Sequence, residues 1–206
     1  MVFRLHYPDR RRREKALLVG ALAALAFAGG PAGAQPAPHT VDPQHTRVHW
    51  EVRHFGTSTA RGRFDDVAVR LSFDPEARTG DVAVEVATAS VDTGVPALDA
   101  VLRGEHFFAS RSNPTAWFVS RRFRFDGDRL AAVDGELTVR DRSVPLTLTA
   151  RRFGCGPRPG DVRTVCGGDF EAELRRSSLD ITYGLPFVAD RVVLVVQVEA
   201  FAPEKP

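Results

Sequence analysis

Three histidines, His45, His49 and His54, fall close together in the chain. Imidazole is the commonest metal ligand and a general base near neutral pH, so they are the first candidates for chemistry. Their surroundings argue against it. Val48, Trp50 and Val52 alternate with Arg47, His49, Glu51 and Arg53, the pattern of a half-buried strand. Residues four apart on a strand are about 13 Å apart, whereas ligands sit about 2 Å from a metal. His45 follows Asp42-Pro43-Gln44 and is expected to hydrogen-bond that turn. No Gly-x-Ser-x-Gly and no glycine-rich phosphate loop occurs, and Asp65-Asp66 reads as a solvated turn. Composition and motifs therefore indicate no enzyme, no metal and no cofactor.

The remaining reactive side chains are two cysteines and a few arginines. Cys155 and Cys166 flank the turn-forming segment Gly-Pro-Arg-Pro-Gly-Asp-Val-Arg-Thr-Val. They are either two free thiols or a disulfide stapling a hairpin, and the spacing is not that of a redox pair. Arg176 continues the even-numbered face set by Phe170, Ala172 and Leu174. An arginine in phase with a core face must find partners. Either the strand ends before it and it caps the rim, pairing with Asp99, or it meets the polar head of a ligand. Arg61 and Arg103 are weaker candidates for the second role.

These residues must be positioned by strands. Val67 to Phe73, Val82 to Val86, Val144 to Leu148 and Phe170 to Leu174 all alternate with period two. Eight strands are predicted, near 46–54, 58–73, 80–92, 115–125, 129–140, 144–153, 168–177 and 190–201. The second changes phase between Phe64 and Val67, which predicts a bend at Asp65-Asp66. The last is apolar on both faces at its start, which predicts a cover on its outside. From Pro96 to Phe108 the spacing of Leu98, Val101 and Leu102 predicts a short helix. Many strands in one domain mean an antiparallel barrel or sandwich, and a small barrel can hold one apolar ligand. The wall would include Trp50, Phe64, Phe73, Val84, Phe107, Phe108 and Phe118, residues that serve equally as plain core.

The first 34 residues read as a secretory leader. Arg10 to Arg13 with Lys15 precede the apolar run Ala16 to Ala28, and Ala32-Gly33-Ala34 has the form of a cleavage site. That run is shorter than the roughly 20 residues a membrane span needs. Residues 35–40 read as a linker and 41–203 as one domain. Of 28 basic and 26 acidic residues, six and two lie before Gln35, leaving 22 and 24 and a net charge near −2. The high pI belongs to the leader and gives no sign of nucleic-acid binding. An exported chain is expected to be periplasmic or secreted and its cysteines oxidised.

Landmarks in order through the mature chain carry a resemblance. They are Asp42-Pro43-Gln44-His45-Thr46 before Trp50, Arg61-Gly62-Arg63-Phe64, Asp99 with Leu102-Arg103 and Phe107-Phe108, Pro114 with Phe118, Gly135-Glu136-Leu137-Thr138-Val139-Arg140, and Arg176-Ser177. The series resembles the YceI family of lipid-binding proteins. The resemblance implies an eight-stranded antiparallel, lipocalin-like barrel with a short helix near one mouth. It implies a long-chain amphiphile of polyisoprenoid or isoprenoid-quinone type as the partner, held in an elongated apolar tunnel, and a periplasmic home. The chain departs from the family pattern at Val101, Gly104, His106, Asp141 and Leu179-Asp180, so polar contacts near the helix transfer least. The sequence leaves the oligomeric state open, a dimer included. The alternative function is that of an accessory protein in a membrane redox or stress pathway, for which a large exposed apolar patch would speak.

Overall fold

The computed structural model describes residues 37–158, 160 and 163–203. The leader segment, 1–34, lies outside the described residues. Eleven strand segments form one antiparallel sheet that closes on itself. They are β1 (Pro38–Val41), β2 (Arg47–His54), β3 (Ser58–Phe64), β4 (Val67–Asp74), β5 (Thr79–Ala87), β6 (Val91–Asp92), β7 (Thr115–Asp126), β8 (Arg129–Val139), β9 (Arg142–Pro157), β10 (Thr164–Arg175) and β11 (Val188–Phe201). Among the described residues one α-helix, α1 (Pro96–Arg103), follows β6.

The architecture is the eight-stranded barrel, with two of its strands broken. The predicted strand 58–73 is β3 plus β4, interrupted at Asp65-Asp66 as its phase change requires. The predicted strand 80–92 is β5 plus β6, interrupted by a single 3-10 turn at Thr88–Ser90. The two breaks lie side by side, joined by Asp65 N–H to the Ser90 carbonyl at 3.1 Å and Ala87 N–H to the Asp66 carbonyl at 3.0 Å. Both strands thus turn the same corner, which is how a small barrel bends without losing its ladder.

The segment read as a linker needs a correction. Pro38–Val41 is a strand that bridges the gap between β4 and β11, pairing Thr40 with Phe201 and His39 with Leu71. Its signal is too short for a pattern of period two, and its order comes from two neighbouring edges rather than from its own sequence. The predicted cover for β11 also fails: Val195, on its outer face, is 37% exposed.

Two bulges keep apolar residues inward where parity alone would turn them out. In β7 the inward residues are Ala116, Phe118 and Ser120, then Phe123 and Phe125 after an irregularity between Val119 and Arg122. The buried Ser120 hydroxyl donates to the Asp134 carbonyl at 2.6 Å and accepts from Arg122 N–H at 3.0 Å, replacing the ladder bonds that the extra residue removes. In β9 the register slips beside Phe170, so Arg151 and Arg152 both stay exposed and pair with Glu171 and Asp169.

The barrel has two distinct ends. The disulfide end carries β1, the β4–β5 and β7–β8 turns and the β9–β10 hairpin; the helix end carries α1, the β2–β3 and β8–β9 turns and the segment between β10 and β11. Cys155 and Cys166 are directly opposed in the β9–β10 ladder and are bridged. Closing a loop this short is worth roughly 3 kcal/mol in the loop-entropy account. Reduction is therefore expected to lower stability by about that amount and leave the barrel folded, because the core is large. Chemical denaturation with and without reductant checks this, and loss of the native circular dichroism on reduction alone would contradict it.

Candidate functional site

The inward faces of the strands form a continuous apolar interior in three clusters. At the disulfide end, Phe118, Leu130, Val133, Leu146, Phe170 and Ala172 are buried together. At the helix end, Val48, Trp50, Phe64, Val91 and Leu102 form a second cluster and Ala116, Val139, Leu179 and Ile181 a third, with Phe107 and Phe108 packed against both. The chain from Leu102 to Phe108 thus plugs the helix end. Phe108 meets Phe64 edge-on with ring centroids 5.4 Å apart.

A partly open cavity of about 70 Å³ lies inside, toward the disulfide end, and its accessible surface is apolar. Phe73, Val84, Phe123, Phe153, Phe170 and Val196 form part of its wall. Phe73 packs on Phe123, Phe125 and Phe153 with centroids 5.3–6.3 Å apart, so one aromatic group closes this side. An apolar cavity of about 150 Å³ holds a benzene molecule, and the resting cavity is about half that volume. Among the described residues this cavity does not extend into the elongated tunnel that the resemblance implies. Phe118, buried at 6% exposure, faces inward as expected but packs over Gly135 and is not among the cavity-lining residues.

Sequence placed Trp50, Phe64, Phe73, Val84, Phe107, Phe108 and Phe118 in the interior, and each packs in or against a core cluster or the cavity wall. It missed Phe123 and Phe153, whose inward parity follows a bulge; the slip from even-numbered Phe118 to odd-numbered Phe123 was the available signal. The arginines need correction. Arg61 is outside the barrel, its Nε 2.7 Å from Glu51 across the β2–β3 pair. Arg103 turns back to the backbone, donating to the Ala89 and Val91 carbonyls, and so fastens the end of α1 to the barrel.

Arg176 is buried at 5% exposure and lies just past the end of β10. Its guanidinium donates to the carbonyls of Ala189, Ile181, Tyr183 and Val188 at 2.8–2.9 Å. It does not pair with Asp99, whose carboxylate accepts from the Thr93 N–H and hydroxyl at the entry to α1. Four carbonyls use most of the donors of the fork. Arg176 is the frame of the loop before β11, the rim-capping role in a stronger form. Burial lowers its pKa, and Asp190, which accepts from Ser177, opposes that shift.

At the other end, the Asp42 turn is locked. His45 Nδ1 lies 2.8 Å from Asp42 Oδ2, and Arg158 Nη1 lies 3.2 Å from the same oxygen. Asp42, His45 and Glu199 bring potential ligand atoms within 4.8 Å of one another. Arg158 already supplies the positive charge there, so the cluster is satisfied as a clasp on the turn. The hydrogen bond from His45 is the main cause that holds the Asp42 pKa down at about 2, below the ordinary 3.8. A depressed carboxylate stabilises the fold above its unfolded pKa and loses that contribution as pH falls from about 4 through about 2. Asp42→Asn is expected to flatten the acid limb of a stability-versus-pH curve over that window. An unchanged acid limb would mean that the turn is held by other contacts.

The comparisons with known proteins decide what this barrel is. The YceI-like domain model matches residues 39–200. The chain belongs to the YceI family. Protein YceI of Escherichia coli O157:H7 is 31% identical over 187 residues, covering 90% of this chain and 97% of that protein. The YceI family barrel also matches solved structures: Burkholderia cenocepacia BcnA at a TM-score of 0.66 and 21% identity, over 78% of this chain and 99% of that one. A polyisoprenoid binding domain from Saccharophagus degradans, implicated in plant cell wall breakdown, gives a TM-score of 0.60 at 13% identity, over 82% and 99% of the two chains. These structures share the fold. The YceI landmarks in this chain now have physical jobs: the Asp42–His45 clasp, the Arg103 fastening and the Arg176 frame hold the two ends of the barrel.

Proposed function

We propose that this protein is a non-catalytic carrier that takes the apolar tail of a long-chain amphiphile, of polyisoprenoid or isoprenoid-quinone type, into the barrel. The observation that carries this is the all-apolar cavity set in an aromatic wall, inside a barrel whose ionisable groups lie at the rims and outside. The lining holds no ionisable side chain: its one hydroxyl is that of Thr46, and Cys166 is bridged to Cys155. Family membership and the polyisoprenoid-binding neighbour support it.

The cavity is a seed rather than a finished tunnel. Each buried methylene contributes about 0.8 kcal/mol at most, so a five-carbon isoprene unit offers roughly 4 to set against the displacement of packed aromatic rings. Trp50 adds a polar handle: its Nε1–H is buried without an acceptor. A buried donor without a partner costs about 1–3 kcal/mol, a cost that a ligand carbonyl or hydroxyl near the helix end would remove. Affinity is expected to rise with each isoprene unit in a series of prenyl alcohols titrated into lipid-free protein. Equal affinity across the series, or none, would refute tail burial.

The leader reading places the carrier outside the cytoplasm, in the periplasm or secreted, with Gln35 as the first residue of exported protein. The rival reading, an accessory protein acting through a protein partner, has one feature in its favour, the exposed apolar side chains of the helix end.

A further inference from the structure

Six of the large apolar side chains that the fold leaves exposed stand at one end of the barrel, on three segments far apart in sequence. Phe55 is on the β2–β3 turn, Val95, Leu98 and Val101 are on and beside α1, and Tyr183 and Phe187 are on the segment before β11. Phe55 and Phe187 are 61% and 63% exposed and touch each other, with ring centroids 5.8 Å apart. Tyr183 stacks on His106 and meets Phe107, the residue that plugs this end, at 5.7 Å. Arg103 and Arg176 fasten two of the segments, so the patch is held in place. Exposed apolar groups gathered at one end mark a contact surface.

The charge around the patch identifies its partner. With the buried Arg176 and Asp99 left out, the segments 53–57, 93–114, 140–142 and 175–190 carry Arg53, Arg103, Arg111, Arg140, Arg142 and Arg175 against Glu105, Asp141, Asp180 and Asp190. This end is therefore +2 on a chain that is −2 from Gln35 onward. Apolar and aromatic tips projecting from a cationic end suit an anionic lipid surface: the tips enter the boundary between head groups and acyl chains while the exposed arginines, Arg53, Arg111, Arg142 and Arg175, meet the phosphates. We propose that the helix end of the barrel docks on an anionic membrane surface. Docked this way, the segment that carries Phe107 and Phe108 lies between the bilayer and the barrel interior, so the plug of the helix end is next to the membrane. The docking claim stands on the patch and its charge, and only its purpose rests on the carrier reading.

The test is co-sedimentation of the exported form with vesicles of phosphatidylglycerol and phosphatidylcholine, against vesicles of phosphatidylcholine alone. Wild-type protein is expected to bind the anionic vesicles, and to release as salt rises. Phe55→Asn/Phe187→Ser is expected to weaken binding on the order of tenfold with the melting temperature unchanged, since both side chains are exposed and asparagine suits the positive φ at residue 55. Arg111→Glu, a second variant at an exposed site, should weaken binding to the anionic vesicles only. Equal binding by wild type and the double variant overturns the proposal. So does wild-type protein that ignores vesicles but forms a dimer which the double variant abolishes, because the patch then serves a second copy. Protein that binds vesicles yet carries no lipid counts against the carrier reading and leaves the docking surface standing; the opposite pattern does the reverse.

Discussion

Arg176→Met is expected to cost about 3–5 kcal/mol of stability, among the largest effects of any single substitution in this barrel. The reason is the count of groups it leaves behind. Four backbone carbonyls, at Ala189, Ile181, Tyr183 and Val188, accept from one guanidinium inside the protein. A methionine fills much of the volume and satisfies none of them, and each orphaned buried acceptor costs of order 1 kcal/mol or more. Arg176→Lys is expected to recover only part of the loss, since a lysine ammonium is a point charge and cannot span carbonyls set around a planar fork. Urea denaturation of both variants measures this. A loss below about 1 kcal/mol for the methionine variant would show that the loop holds its own shape. Lipid affinity of the folded lysine variant close to wild type is the further expected outcome, because the guanidinium is occupied by backbone and does not face the cavity.

Phe118→Ala is the second large effect, and it separates wall from core. Phe118 faces inward in phase with Ala116 and Ser120, lies against Gly135 and packs with Leu130, Val133 and Phe170. Removing a buried phenylalanine of this kind costs about 3–5 kcal/mol. The new space adjoins the existing cavity, since Leu130, Val133 and Phe170 belong to both walls. Loss of stability without ligand is therefore expected, partly restored by an amphiphile whose tail occupies the space. Denaturation of lipid-free and lipid-saturated variant checks both halves. Equal losses with and without lipid would mark Phe118 as packing that the tail never reaches.

The strands were legible in the sequence because each has one wet face and one dry one. Val67 to Phe73 or Phe170 to Leu174 can be read from parity alone. The bend at Asp65-Asp66 was legible for the same reason, as a change of phase. Legibility stopped where pairing rather than pattern decides. Pro38–Val41 has no periodicity of its own and is a strand because β4 and β11 leave a gap. The bulges at Ser120 and Arg151 hide Phe123 and Phe153 from a parity count. Arg176 stood out, but its partners are main-chain carbonyls of a loop, and side-chain types cannot announce those. Phe55, Tyr183 and Phe187 stand beside turn-forming glycines and prolines, so an apolar residue in a turn was their only sign. The small resting cavity follows from how far Phe73, Phe123 and Phe153 lean together, which no spacing encodes.

The interior is expected to accept the tail of a long amphiphile. Native mass spectrometry of protein isolated in its exported form, followed by organic extraction and identification of what is released, tests it most directly. The expected result is a complex of one chain with one amphiphile, its mass matching an extracted molecule with a polyisoprenoid-type tail. Protein that is consistently free of lipid, and that stays so after incubation with a total lipid extract, would contradict the account.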